Sequence, residues 1–265
     1  MSELAPRCFE LHEKELTAVP ESVGRMAGLE ELSLWRNRLT ALPDFVWDLA
    51  SLRVLNVSEN RLSSLSEKIG RLGRLEMLDI GHNELTSLPV AIGSLPLRTF
   101  LYVSHNRLKT VPDSIGDLRG LAYLNITDNQ LSALPESVGN LERLSELRLY
   151  GNQLTGLPES IGRLSALKEL HLSNNLLASL PESIGRLGRL IHLDLRNNRL
   201  SSLPASLGAL KKVRHLDLRS NKLTAVPEVI RDLDGLEKLD LRWNRVGPLP
   251  DWLRQREQDG CTVYC

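Results

Sequence analysis

The sequence contains little cysteine, few aromatic residues and no net charge. Only three of its 265 residues are cysteine and 4% are aromatic, while 33 basic residues balance 33 acidic ones. A neutral chain has no overall field to draw it to nucleic acid, so we expect no nucleic-acid partner. So few cysteines indicate a reducing compartment, and whether Cys261 and Cys265 pair with each other stays open.

Long apolar runs are also missing. No stretch approaches the roughly 18 residues that a membrane-spanning helix needs. Residues 1–14 carry several charges and lack the apolar segment of a cleavable secretory signal. We therefore predict a cytoplasmic protein without membrane insertion. A secreted effector that has no cleavable signal peptide is the alternative.

Motifs of catalysis and phosphate binding are scarce as well. The sequence contains no GxxxxGK loop, no HExxH pair and no GxSxG turn. Because nothing in the sequence positions a nucleophile beside a base, we predict that the chain is not an enzyme and uses no cofactor.

What the sequence does contain is an asparagine every 23 residues. The ten positions are Asn37, Asn60, Asn83, Asn106, Asn129, Asn152, Asn175, Asn198, Asn221 and Asn244. Around them the chain follows the frame LxxLxLxxNxLxxLPxxIGxL, with no insertion or deletion in the period. A fixed period of this length indicates a repeat protein whose units stack side by side.

The frame gives each position a structural task. Alternating leucines such as Leu170 and Leu172 place two side chains on the buried face of a short strand, and the residues between and after them face outward. The asparagine amide both donates and accepts, so it can satisfy buried turn groups in its own and neighbouring units. Proline, isoleucine and glycine then indicate a return segment of short helical or 3₁₀ structure.

This frame resembles the intracellular leucine-rich repeats of plant Ras-group-related proteins and of Ras-suppressor and Scribble-type scaffolds. The LPxxIGxL segment, as at Leu180, Pro181 and Ile184, carries the resemblance. It implies an α/β fold: a right-handed leucine-rich-repeat solenoid, or horseshoe, with a parallel β-sheet on the concave face and short helical or 3₁₀ segments on the convex face. Those relatives are protein-interaction scaffolds, and similar repeats occur in bacterial effectors that recognise targets.

We expect a single solenoid domain with a cap at each end. Its expected parts are a degenerate N-terminal capping repeat (1–28), the leucine-rich repeats (29–248) and a C-terminal cap (249–265). Among the few departures from the frame, Trp47 replaces a glycine, Ser66 replaces a proline and Arg98 replaces a leucine. We expect Arg98 to disturb the sheet and its register near Phe100.

Function in such an array is expected on the outward strand positions, because the repeated residues only build the scaffold. Six of the eleven aromatic residues fall there, and four of these lie on three successive strands, close enough to form one patch. A second zone is the motif LDLR, which recurs from residue 193 and places a column of aspartates beside a column of arginines. The candidate partner-binding residues are Trp35, Phe100, Tyr102, Tyr123, Arg148, Tyr150, Arg196, Arg219, Arg242 and Trp243. Two alternatives to partner binding stay open. The aromatic residues could simply cover the sheet surface, and the aspartate and arginine columns could neutralise each other.

His171, His192 and His215 lie near the second zone, beside Asp194 and Asp217. Imidazole and carboxylate groups bind zinc, but these residues are spread over three strands. The sequence therefore favours solvated side chains and leaves metal binding open.

Together these features predict a monomeric protein-interaction module, or scaffold, whose concave face binds a protein partner in intracellular signalling. The alternative is a target-recognition component of a bacterial effector, or of a complex whose enzyme is a separate chain.

Overall fold

In the part of the chain that the structure describes, twelve three-residue strands form one sheet, each parallel to its neighbours in chain order. The structure is a computed structural model that describes residues 7–265, so the first six residues of the predicted capping repeat lie outside the described residues. The strands are β1 (Cys8–Glu10), β2 (Glu31–Ser33), β3 (Val54–Asn56), β4 (Met77–Asp79), β5 (Phe100–Tyr102), β6 (Tyr123–Asn125), β7 (Glu146–Arg148), β8 (Glu169–His171), β9 (His192–Asp194), β10 (His215–Asp217), β11 (Lys238–Asp240) and β12 (Thr262–Tyr264). The predicted solenoid, with this sheet on its concave face, is confirmed.

Five-residue 3₁₀ helices carry the chain back along the convex side. They are Glu21–Arg25, Asp44–Asp48, Glu67–Arg71, Val90–Ser94, Asp113–Asp117, Glu136–Asn140, Glu159–Arg163, Glu182–Arg186, Ala205–Ala209 and Glu228–Asp232. An extended proline precedes every one of them except Glu67–Arg71, which follows Ser66. The Ser66 hydroxyl accepts a hydrogen bond from the Lys68 N–H (3.2 Å), so a serine cap replaces the proline at this start.

Leucines fill the space between the sheet and the 3₁₀ helices. The central residue of each strand from β2 to β11 is a leucine with at most 1% of its surface exposed. These leucines belong to one core that continues along the whole array. Each unit therefore covers the apolar side of the next unit. Stacking buries apolar surface that would stay exposed in a single unit.

The ten repeated asparagines, which we term the ladder asparagines, connect successive units. Asn152 illustrates the pattern: its Nδ2 donates to the Ile126 carbonyl of the preceding unit (2.9 Å) and to the Leu149 carbonyl of its own unit (3.0 Å). Its Oδ1 accepts from the Leu131 N–H (3.0 Å). The other nine repeat the bond to the preceding unit. The predicted ladder is thus confirmed.

The sheet passes the irregular unit at Arg98 without losing register. Leu97 fills the core there with 1% of its surface exposed, while Arg98 faces solvent. Phe100 still pairs with Met77 on one side and Tyr123 on the other. The expected loss of register near Phe100 is therefore wrong, because the adjacent leucine takes over the core position.

Helix α1 (Asp251–Gln258) and strand β12 follow the last repeat. The Leu253 side chain of α1 is fully buried in the core, and β12 pairs with β11. Cys261 is buried and Cys265 is exposed, and both thiols are free. Among residues 7–265, none of the helices has the length and apolar character required to span a bilayer. The division into two caps and a central array stays a prediction.

Candidate interaction surface on the concave face

In strands β2 to β11, the first and third residues lie on the outward face of the sheet, because the central leucine points into the core. Neighbouring strands pair in register, so residues 23 apart in the sequence lie side by side, as Glu146 and Glu169 do. Each projecting position therefore forms a row that crosses the strands. The residue types along each row decide what the surface can bind.

The row formed by the first residues of the strands is apolar over four neighbouring strands, and we term this part of it the apolar row. It consists of Val54, Met77, Phe100 and Tyr123, which pair in this order and are all half-buried. Strands lie about 4.8 Å apart, so the row extends over about 14 Å. Val54 and Met77 were not among the predicted residues, although the 23-residue spacing from Phe100 would have revealed them.

Phe100, Tyr102, Tyr123 and Arg148 form what we term the aromatic cluster, at one end of the apolar row. The rings of Phe100 and Tyr102 stack with centroids 4.5 Å apart, and Tyr123 meets Tyr102 edge-on at 5.1 Å. The Arg148 guanidinium lies 5.6 Å from the centre of the Tyr123 ring, at cation–π distance. Burial raises the pKa of Tyr123, although the charge of Arg148 opposes this, so its hydroxyl stays protonated at neutral pH. Tyr150, also half-buried, lies two residues beyond Arg148.

Trp35 and Trp243 lie near opposite ends of the sheet. Trp35 follows β2 and meets the His12 ring edge-on at 5.8 Å. Trp243 follows β11, is 69% exposed, and has the Arg242 guanidinium 5.6 Å from its ring centre. Of the six outward aromatic residues, Phe100, Tyr102 and Tyr123 are in ring contact, and Trp35 and Trp243 lie apart from them. Among residues 7–265, the Tyr150 ring contacts no other aromatic ring, so three of the four residues of the predicted patch meet.

The predicted aspartate and arginine columns neutralise each other over part of their length. The Arg219 guanidinium contacts Asp217 (2.5 Å) and reaches Asp240 on the next strand (3.3 Å), and Arg242 contacts Asp240 as well (2.7 Å). Burial pushes the pKa of Asp240 upward, but hydrogen bonds from Arg242 and the charge of Arg219 outweigh it, and the pKa lies below its ordinary value. Within residues 7–265, no carboxylate oxygen lies within 4.0 Å of the Arg196 guanidinium. Arg196 is therefore the member of the arginine column that is free to meet a partner.

The three predicted histidines form a line across β8, β9 and β10. Ring centres of His171 and His192 are 5.0 Å apart, and those of His192 and His215 are 5.6 Å apart. Burial, assisted by the charge of His171, lowers the pKa of His192, so its imidazole is neutral at pH 7. In the described chain, the carboxylates within 4.0 Å of His171 belong to Glu146 and Glu169, which the sequence did not single out. Their spacing of 23 residues is the signal that would have placed them together.

Family models of leucine-rich repeats match most of the chain. A leucine-rich repeat region matches residues 95–175 and 159–245, and a leucine rich repeat matches residues 27–85. The chain therefore belongs to the leucine-rich repeat family. The family's fold is a scaffold for protein interaction, so the chain is a protein-interaction module. No curated protein matches its sequence.

Solved structures of other leucine-rich repeat proteins are similar to this chain. A leucine-rich repeat protein of Leptospira interrogans is 29% identical, with a TM-score of 0.58, over 97% of this chain and 83% of that one. The Arabidopsis receptor kinase HAESA, solved with a peptide hormone and a co-receptor, is 31% identical, with a TM-score of 0.77, over 91% of this chain and 42% of that one. The leucine-rich effector YopM of Yersinia pestis is 30% identical, with a TM-score of 0.73, over 90% and 61%. The chain thus spans less than two thirds of the length of HAESA and of YopM.

Proposed function

We propose that this protein recognises another protein through the concave sheet, with the aromatic cluster as the anchor. The observation that carries the proposal is the contact of Phe100, Tyr102 and Tyr123, whose rings are half-buried and adjacent in the middle of the sheet. The frame does not require aromatic residues at these positions, so the scaffold does not account for them. Clustered aromatic side chains with an arginine are typical anchors of protein interfaces.

The shape of this surface favours an extended protein segment laid across the strands. The apolar row offers about 14 Å of continuous apolar contact, enough for several side chains of such a segment. Arg196 lies on the C-terminal side of the aromatic cluster and offers its guanidinium to an acidic group of the same partner. Arg219 and Arg242 contribute less to binding in this proposal, because aspartates already engage them.

We place this activity in intracellular signalling by a monomeric protein, because only three of the 265 residues are cysteine, as is usual in a reducing compartment. The similarity to YopM supports a second candidate, in which the module selects targets for a bacterial effector or for an enzyme on a separate chain. Finding the protein in a host cell during infection would favour the second candidate over the first.

The test is affinity capture followed by binding measurements with purified partners. We expect the variant Tyr102→Ala/Tyr123→Ala to bind at least about tenfold more weakly than the wild type, as loss of anchor residues does. Val90→Ala is the matched control, because Val90 is an apolar side chain on the convex side that is 64% exposed. Equal retention of partners by the folded double variant would contradict binding through the aromatic cluster.

A further inference from the structure

We propose that the sheet also holds a divalent metal site, in which Glu146, Glu169 and His171 bind zinc or a chemically similar ion. One potential ligand atom from each of the three residues lies within 4.8 Å of the others. The His171 Nε2 atom is 3.1 Å from Glu169 Oε2 and 3.9 Å from Glu146 Oε1. Ligand atoms about 2.0–2.1 Å from a tetrahedral metal lie about 3.3–3.5 Å from each other, so small side-chain rotations complete the site.

The strand register holds the three ligands in place. Glu146 and Glu169 are paired first residues of β7 and β8, and His171 is the third residue of β8. The side chains of His171 and Glu146 are only 16% and 20% exposed, while that of Glu169 is 46% exposed. The sheet therefore limits the side-chain motion of His171 and Glu146. The Glu169 side chain faces solvent, on the side from which an ion would enter.

The ligand types determine which ion fits. Two carboxylates on neighbouring strands repel each other, and a divalent cation between them removes that repulsion. One imidazole with two carboxylates suits zinc, cobalt or nickel better than calcium, which prefers oxygen ligands alone. Water fills the fourth position, or the His192 imidazole on the next strand does, since its ring centre is 5.0 Å from that of His171.

Arg148 competes with the metal for one of these ligands. Its Nε atom forms an ion pair with Glu146 Oε1, the same oxygen that lies 3.9 Å from His171. Arg148 must move away from Glu146 before the ion can use that oxygen. Removal of the guanidinium should therefore tighten metal binding.

The experiment is calorimetric titration of the untagged, chelator-treated full chain with zinc at pH 7.5, repeated with cobalt to read the absorption of its bound form. We expect one ion per chain, affinity at least about tenfold lower in Glu169→Gln and His171→Gln, and higher affinity in Arg148→Met. His215→Gln is the matched control, since His215 belongs to the histidine line but lies outside the three-ligand group, and its affinity should equal that of the wild type.

Three results would overturn the site: no saturable binding, binding that survives both ligand variants, or equal weakening in His215→Gln. Zinc held by the cysteine thiols would give the second of these results. Glu169→Gln is nearly isosteric and on the surface, so it decides the question even if His171→Gln does not fold. The titration involves no protein partner, so its outcome is independent of the proposed function.

Discussion

Each ladder asparagine satisfies backbone groups in two units at once, and this makes single amides important for the stability of the array. Asn152 donates to carbonyls and accepts from an N–H with only 7% of its surface exposed. No other side chain of similar size supplies both a donor and an acceptor in this geometry.

Replacement of one ladder amide by a carboxylate should therefore be costly. We expect Asn152→Asp to lower the free energy of unfolding by about 3–5 kcal/mol, because a buried charge then faces carbonyl groups that have lost their donor. Urea denaturation followed by circular dichroism measures the change.

Asn197→Asp is the control for this prediction. Asn197 is exposed, and its Nδ2 donates to the Asn174 side chain (2.7 Å). We expect a loss below about 1 kcal/mol, as for most surface changes. A similar decrease in the free energy of unfolding for Asn152→Asp and Asn197→Asp would mean that a ladder asparagine contributes no more to stability than an exposed amide does.

His192 gives the array a pH dependence with a definite sign. Its pKa in the folded protein lies below the ordinary value of 6.5, first because of burial and then because of His171 and His215, while Asp194 and Glu169 act in the opposite direction. The unfolded chain therefore binds more protons than the folded chain as the pH falls below about 6.5. Folding stability should decrease in this window, down to the pKa of the folded state.

The measurement is urea denaturation of the wild type and of His192→Gln at pH 7.5 and pH 5. Other groups titrate in both proteins, so the difference between their losses isolates His192. We expect the wild type to lose more stability than the variant on acidification. Equal losses would show that His192 is not held in its neutral form by the fold.

At the level of elements, the convex 3₁₀ helices in the middle of the array pack so closely on the next unit that a glycine is needed at the contact. A methyl group added to Gly139 would overlap the carbonyl oxygen and the Cβ atom of Ser160 in the next unit. The same overlap with a serine recurs at Gly93, Gly116, Gly162 and Gly185. The glycine column in the sequence therefore reflects contact between units and not a left-handed backbone.

Gly139→Ala should separate neighbouring units and lower the free energy of unfolding by about 1–3 kcal/mol, as overpacking does. Gly156→Ala is a closely matched control, because a methyl group there meets no atom within 4 Å. We expect this control to be neutral or to gain up to about 1 kcal/mol from a less flexible unfolded chain. Thermal and urea denaturation of the pair test the prediction, which fails if Gly139→Ala is as stable as Gly156→Ala.

Strands and 3₁₀ helices were predictable because every unit repeats one frame, and the period itself places the strands in register. Two further features were not predictable in the same way. Leu97 takes over a core position when Arg98 interrupts the frame, since either of two adjacent residues in a turn can point inward. Arg219 reaches the carboxylate of Asp240 on the next strand while Arg196 stays free, and such choices depend on side-chain rotamers and not on spacing.

For the whole molecule, the aromatic cluster and the apolar row occupy the middle of a sheet whose other repeated positions build the scaffold. The chain has no net charge, so long-range attraction contributes little and recognition depends on local contacts. The proposed function therefore depends on contact with the partner through the concave face and not the convex face.

Site-specific photo-crosslinking in the native cells shows which face contacts the partner. A benzophenone amino acid is placed at Asn125, which is half-buried on the concave sheet beside the aromatic cluster, or at Val90, which is exposed on the convex side. We expect a covalent adduct with a specific protein from position 125 and none from position 90. An adduct from position 90 alone would contradict recognition through the concave face.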